Sequence, residues 1–247
     1  MAQFFTRFAL DKSWHLTSII RNPDQRATIE ALGQDRPGKL EVLVSSVEDV
    51  KSKAEAQEVI KSANPEYIVW SAGAGGKGGP ERTDAVDRAA CVAFIEAAVA
   101  TQSVSRFLLV SYLGSRRKRA PWWSEDDWQK VQDVNNGALK NYYPAKLAAD
   151  EALASLSKQR EEGFAGICLR PGTLSDSDEL GKVALGKTGS RGNVARIDVA
   201  RVAVELLDAR DIKSVWLDLL QGQEDTDFAV DKALSEGVDA IDGETSA

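Results

Sequence analysis

Short apolar runs alternate with polar, helix-patterned stretches along this chain. Residues 14–20 (Trp14-His15-Leu16-Thr17-Ser18-Ile19-Ile20) predict a strand, ended by the turn signal Arg21-Asn22-Pro23. Residues 24–33 are polar and helix-like. Lys39–Val44 predicts a second strand and residues 49–63 a helix, stopped by Asn64-Pro65. Tyr67–Trp70 is wholly apolar, the pattern of a strand inside a parallel sheet. A glycine loop follows, then a helix over about 84–100. Arg106–Val110 reads as a strand closed by Ser111. A loop over about 112–135 leads to a helix carrying Tyr142 and Lys146. Residues 165–169 form a strand broken by Arg170-Pro171-Gly172, residues 198–209 a helix with Asp198 at its N-cap, and residues 215–219 a last strand. Strands alternating with helices predict a doubly wound parallel α/β sheet. Ligands of such sheets lie beyond the strands' carboxyl ends, where Arg21, Ser45, Gly73, Ser111 and Pro171 fall.

Composition narrows the picture. The 247 residues suit one large domain. The net charge of -7 is local: of 38 acids and 31 bases, residues 221–247 hold eight acids and one base, so the body balances. That body gives no reason to expect nucleic acid or an anionic membrane surface. A single domain over 1–235 with an acidic, flexible tail over 236–247 is expected. Cys91 and Cys168 make no disulfide framework and read as reduced thiols of a cytoplasmic compartment. The first residues lack the pattern of a signal peptide, and no apolar run approaches the roughly 18 residues of a membrane span.

Most catalytic devices are excluded. His15 is the one histidine, inside an apolar run that suggests a packed core residue. A Ser-His-Asp triad and a multi-histidine metal site are thereby set aside. What remains is Tyr142 and Lys146, four residues apart and on one face of a helix. An ammonium beside a phenol favours the phenolate and lowers its pKa, giving a proton donor and acceptor near neutral pH. The competing reading is an ordinary exposed helix pair.

Ser111, the Tyr142/Lys146 pair and Leu169-Arg170-Pro171-Gly172-Thr173 together resemble an atypical short-chain dehydrogenase/reductase, closest to the NmrA-like NAD(P)-binding proteins of fungi. Ile19-Ile20-Arg21-Asn22-Pro23, Ser71-Ala72-Gly73-Ala74-Gly75-Gly76-Lys77 and Arg196-Ile197-Asp198-Val199-Ala200 are similar too. The resemblance spans about residues 4–235. It implies a Rossmann sheet holding NADP(H) or NAD(H), and a small-molecule substrate with a carbonyl or alcohol carbon. Tyr142 would be the acid/base, Lys146 would lower its pKa and bind the nicotinamide ribose, and Ser111, or less directly Ser115, would bind the substrate carbonyl. Pro171, Gly172 and Thr173 would line the nicotinamide pocket. Ala72, Gly73 and Ala74 would flank the cofactor's ribose and phosphates, and Arg21 would meet a 2′-phosphate, favouring NADP. A non-catalytic NAD(P) sensor or scaffold is the alternative that the same resemblance allows.

The chain departs from that pattern at its start. A Rossmann domain opens with a strand and a Gly-x-Gly-x-x-Gly turn that holds the pyrophosphate. Residues 1–13 contain no glycine and read as the tail of a first helix leading into the second strand. Either the chain starts late relative to its relatives or its main phosphate anchor is lost; the expected consequences are an N-terminally incomplete sheet with exposed strand edges and either poor solubility, a rearranged sheet or a partner that fills the gap.

Three further stretches call for weighing. Gly73-Ala74-Gly75-Gly76-Lys77-Gly78 spells the dinucleotide string but sits in the wrong unit, and reads as a ribose-flanking loop or a bare flexible one. Residues 181–188 match the Walker A string, which would suggest a P-loop phosphohydrolase, yet they resemble part of a hairpin. Arg116-Arg117-Lys118-Arg119 precedes Trp122, Trp123 and Trp128, and the acids at 125–127 suggest internal salt bridging. Those tryptophans either face a planar substrate or pin the loop to the body.

Overall fold

In the computed structural model the chain folds as α1 (Ala2–Asp11), β1 (His15–Ile20), α2 (Arg26–Glu30), β2 (Lys39–Val44), α3 (Lys53–Ala63) and β3 (Tyr67–Trp70). A continuous helical run follows, α4 (Gly79–Thr83), a π-helical stretch (Asp84–Ala90) and α5 (Cys91–Ala100). Then come β4 (Arg106–Val110), α6 (Glu125–Asn136), α7 (Tyr142–Ser157), β5 (Ala165–Pro171), β6 (Thr173–Ser175), β7 (Lys182–Gly186) and β8 (Asn193–Ala195). The last elements are α8 (Arg196–Asp208), β9 (Val215–Gln221), β10 (Glu224–Asp225) and α9 (Thr226–Ser235). The structure describes residues 1–75, 78–160 and 162–244.

The larger sheet has the order β10-β7-β9-β5-β4-β3, with β3, β4, β5 and β9 parallel. β7 runs antiparallel to β9, and β10 antiparallel to β7. The central strands are apolar on both faces because helices cover both. Phe107, Leu109, Cys168 and Trp216 face the side covered by α3, α5 and α7. Leu108, Ile167, Leu169 and Leu217 face the side covered by α1, α8 and α9. This period-two alternation gives two cores around one sheet, the doubly wound arrangement. Each fully buried leucine or phenylalanine there contributes roughly 1.5–3 kcal/mol.

The sheet is divided. β1 and β2 pair in parallel as a separate two-stranded sheet, His15 beside Lys39 through Ile20 beside Val44. Among the described residues no strand lies between β1 and β3. β3, apolar enough for a sheet interior, therefore forms the last strand of the larger sheet and is only half-buried up to Trp70. The smaller sheet is held through side chains and helices. α1 packs on α8, with Lys12 bridging Glu205 and Asp208, and Trp14 meets Tyr67 edge-on at 6.0 Å between ring centroids.

Several expectations change. His15 is exposed and its Nε2 lies 3.3 Å from Glu41, because its side of β1 faces outward rather than into a core. The loop after β4 contains α6, whose N-cap Ser124 accepts a hydrogen bond from the Asp127 amide at 3.1 Å. α8 begins at Arg196, so Asp198 is not its cap; that carboxylate instead accepts the amides of Leu180 and Gly181 at 3.3 and 3.0 Å. The acidic end of the chain is docked through Glu244, against the expected flexible tail. Ala240 is fully buried, its amide donates to Trp216 at 2.8 Å, and the Asp239 carboxylate accepts the Trp216 amide at 3.0 Å. Thr245, Ser246 and Ala247 lie outside the described residues. No helix among the described residues is long and apolar enough to cross a membrane.

Candidate functional site

α7 aligns Tyr142, Lys146 and Asp150 along one face, at four-residue intervals, and lays that face against the end of β4. Lys146 is buried and its Nζ donates to the Val110 carbonyl at 2.9 Å. One turn on, the buried Asp150 carboxylate accepts the Ser111 hydroxyl at 2.7 Å. The Tyr142 ring stacks at a tilt on Tyr112, 5.3 Å between centroids. The helix itself is fixed by Tyr143, whose hydroxyl donates to the Arg116 carbonyl at 2.9 Å. Phenol, ammonium and serine hydroxyl thus share one helix–strand junction.

The electrostatics of this junction are set by burial. Burial raises the Tyr142 pKa above the ordinary phenol value, and the Lys146 ammonium opposes the rise without reversing it. The expected lowering of the phenol pKa is therefore absent in the protein alone. Burial works against the Lys146 charge, yet Tyr142, Cys91, Asp150 and Asp87 hold its pKa above the usual lysine value. Asp150 is pushed up by burial, with Arg170 and Lys146 pulling against it. The Cys91 thiol, fully buried, is pushed up to about 12 and is inert as a nucleophile at neutral pH.

A cavity of about 1020 Å³ opens at the carboxyl ends of β1 and β3 and continues down between them. Arg21, Ser45, Ala72 and Gly73 line it, with Glu48 and Arg82 beside them. Arg21 and Arg82 both donate to Oε1 of Glu48, Arg82 through Nε at 2.6 Å. These hydrogen bonds, with that from Arg82 foremost, hold the Glu48 carboxyl below the ordinary range. Ala74 lies behind the wall, its amide donating to the buried Asp87 carboxylate at 2.9 Å. A side chain on Gly73 would meet the same carboxylate at 2.9 Å. Gly76 and Lys77 of this loop lie outside the described residues.

The predicted residues thus fall into two groups. Arg21, Ala72 and Gly73 meet in the cavity; Ser111, Tyr142 and Lys146 meet at the α7 junction and do not line it. Pro171, Gly172 and Thr173 form a third cluster at the end of β5. There the Gly172 amide donates to Leu219 at 2.9 Å and Thr173 opens β6 beside β8. A side chain at Gly172 would lie 2.4 Å from the Gly192 carbonyl, so only glycine fits this turn. Asp87, on the π-helical stretch, stands between the first two groups and reaches Lys146 and Arg82 electrostatically. Nothing in the sequence pattern marks it, since it lies mid-helix among other acids.

The Walker-like segment is a strand here, not a phosphate loop. Within it, residues 183–186 pair antiparallel with β9, whereas a P-loop joins a strand to a helix. Lys187 binds Asp242, and the Thr188 carbonyl accepts both Trp122 and Trp123 Nε1 at 2.8 Å. The tryptophan loop is therefore pinned to the body. Arg116, fully buried, lies 5.2 and 5.6 Å from the centres of these two rings and donates to the carbonyls of Ala240 and Asp242. A second buried pair, Arg170 with Asp218 at 3.3 Å, stacks on Trp216. Burial pushes the Asp218 carboxyl up to about 6.

Comparison with known proteins shows the family and the fold. The profile of the NAD(P)H-binding family matches residues 1–210. The chain is 29% identical over 220 residues to a UPF0659 protein of Schizosaccharomyces pombe, covering 88% of this chain and 83% of that one. It is 30% identical over 207 residues to YhfK of Bacillus subtilis, named an uncharacterized sugar epimerase, covering 84% and 82%. Among solved structures, a Bacillus halodurans protein assigned as an NAD-dependent epimerase/dehydratase superposes with a TM-score of 0.72 at 22% identity, covering 94% of each chain. The anaerobillin reductase ChuY of Escherichia coli O157:H7 gives 0.64 at 22% identity, covering 88% and 90%. At these identities the superpositions speak for the fold alone, and the profile with the Bacillus subtilis relative speaks for descent. The chain belongs to the NAD(P)H-binding family, built on a Rossmann-type sheet.

Proposed function

We propose that this protein is an NADP-dependent oxidoreductase acting on a carbonyl or alcohol carbon, with Tyr142 as acid/base. The observation that carries the reading is the shared α7 face of Tyr142 and Lys146, set against Ser111 at the carboxyl end of β4. The residues fit the cofactor class. A cavity of about 1020 Å³ at the carboxyl ends of two parallel strands suits a nucleotide, and Arg21 and Arg82 at its mouth suit phosphate. When bound, the nicotinamide gives or takes the hydride.

The chain's own residues supply position and proton. Tyr142, kept protonated by burial, gives its proton to the developing alkoxide in reduction. Lys146 keeps its charge beside the phenol and lowers the cost of the phenolate left behind. Ser111 orients the carbonyl oxygen once its hydroxyl turns from Asp150. Gly73 lets the backbone after β3 lie close to a ribose, and Asp87 fixes that loop through Ala74. Arg21 favours NADP over NAD through a 2′-phosphate. The Escherichia coli neighbour is named a reductase and the Bacillus subtilis relative a sugar epimerase; reduction is the reading proposed for this chain.

A non-catalytic NAD(P)-binding role is the second reading. The hydrogen bond that ties Ser111 to Asp150, and the absence of Tyr142 from the cavity lining, favour it. Titration with NADPH, followed by turnover of a panel of quinones and aldehydes, separates the two. Saturable NADPH binding with turnover that Tyr142→Phe abolishes supports the enzyme. Binding without turnover supports the sensor, and no binding of NADPH or NADH defeats both.

A further inference from the structure

We propose that Glu48 is a specificity-determining residue, an internal counter-ion that an adenosine 2′-phosphate must displace, and that it thereby narrows the preference for NADP over NAD. The inference rests on the nucleotide reading of the cavity given above, and adds to it a residue that works against the phosphate.

Three elements bring the cluster together. Arg21 follows β1, Glu48 lies in a short helical turn (Val47–Asp49) after β2, and Arg82 sits on α4. All three side chains line the cavity. Oε1 of Glu48 accepts Nη1 of Arg21, while Nε and Nη2 of Arg82 reach the same oxygen at 2.6 Å each. Two guanidiniums from different parts of the chain are thus aimed at one point, and a carboxylate fills it. Glu48 and Arg82 are half-buried, so salt screens this cluster less than an ion pair in open solvent.

A phosphate monoester suits the same point. It offers three oxygens to two planar forks, and arginine–phosphate pairs are strong charge-assisted hydrogen bonds. Carboxylate and phosphate do not share the point, because both are anions and both need the same N–H groups. The 2′-phosphate therefore enters only as Glu48 leaves. A 2′-hydroxyl imposes no such exchange. It is neutral, and it donates to Glu48 while both ion pairs stay closed. Glu48 thus weakens the hold on NADPH without weakening the hold on NADH.

The test is titration of the full chain, and of its Glu48→Gln variant, with NADPH, NADH, 2′,5′-ADP and 5′-AMP. Glutamine keeps the length of the side chain and an acceptor oxygen for both arginines, and removes the charge. The expected result is that NADPH and 2′,5′-ADP bind the variant at least about tenfold more tightly, while NADH and 5′-AMP do not tighten. Arg82→Met, with Glu48 in place, weakens NADPH at least about tenfold more than it weakens NADH. Unchanged or weaker NADPH binding to Glu48→Gln overturns the proposal and makes Glu48 a clamp that only holds the arginines. Equal tightening of all the ligands overturns it too, since Glu48 would then repel any nucleotide at the mouth. If neither protein binds any of the ligands, the nucleotide reading has failed and the proposal falls with it. Binding that the substitution leaves unaltered keeps that reading and defeats this proposal alone. Turnover enters none of these measurements, so the role of Tyr142 is judged separately.

Discussion

The Ser111 hydroxyl donates to Oδ2 of the Asp150 carboxylate at 2.7 Å in the protein interior, with Ser115 and Cys168 beside the same acid. The serine proposed to bind the substrate is thus also a side-chain donor to a buried acid. Ser111→Ala should therefore lower stability by about 1–3 kcal/mol as well as reduce turnover, because it takes a hydrogen-bond donor away from a buried acid. Urea denaturation of the purified variant measures the first effect and steady-state rates the second. Unchanged stability would show that Asp150 does not need the hydroxyl.

The raised phenol pKa of Tyr142 sets the pH profile of the proposed reaction. In reduction the phenol must be protonated, and a pKa above the ordinary value keeps it so through the neutral range. The rate constant at saturating substrate should be flat between about pH 6 and 9. In oxidation the phenolate is required, so the rate should climb with pH across the same interval. A reduction rate that falls with a midpoint near neutrality would mean that bound ligand reverses the burial effect.

Arg116 holds three parts of the molecule together. Its guanidinium lies against Trp122 and Trp123 and donates to Ala240 and Asp242, while Glu244 accepts the amides of Arg117 and Lys118. Arg116→Met keeps the stem but leaves those carbonyls unpaired. It should cost roughly 3 kcal/mol or more and free residues 236–244 to proteolysis. Mass spectrometry of limited digests reports the cut sites, and the unaltered protein should resist cleavage there.

Asp218 gives stability an unusual sign of pH dependence. Its folded-state pKa of about 6 exceeds the unfolded value near 4, so the folded form holds the proton more tightly. This group's contribution is complete below about pH 4 and is lost as pH rises to about 6, a change of about 3 kcal/mol. Relative to the wild type, Asp218→Asn should therefore gain stability as pH rises through that window and show no further change above it. Chemical denaturation of both proteins from pH 4 to 8 provides the comparison.

Much of the fold was legible because the central strands are buried on both faces. Runs such as Arg106–Val110 and residues 165–169 announce themselves by apolar continuity alone. The shared face of Tyr142 and Lys146 followed from helix spacing. What sequence could not give was direction and depth. His15 sits in an apolar run yet faces outward, with Ile19 on the same side of β1 exposed as well. Asp198 has the residue type of a cap but serves two distant amides. α6 did carry a signal, Ser124 three residues before Asp127, hidden by the charge of its first turn. The anchoring of Ala240 was invisible because it depends on Arg116, far away in the chain.

The division of the sheet has a mechanical consequence. Among the described residues no ladder hydrogen bond joins β1 to β3, so the two halves communicate through helices and side chains, among them α1 on α8, the Trp14–Tyr67 contact, the packing of Val47 and the charges around Glu48. That makes a seam. Heat or denaturant acting on this chain should part it there first, releasing the β1–β2 layer in an early step while the six-stranded body stays intact, so that melting is biphasic.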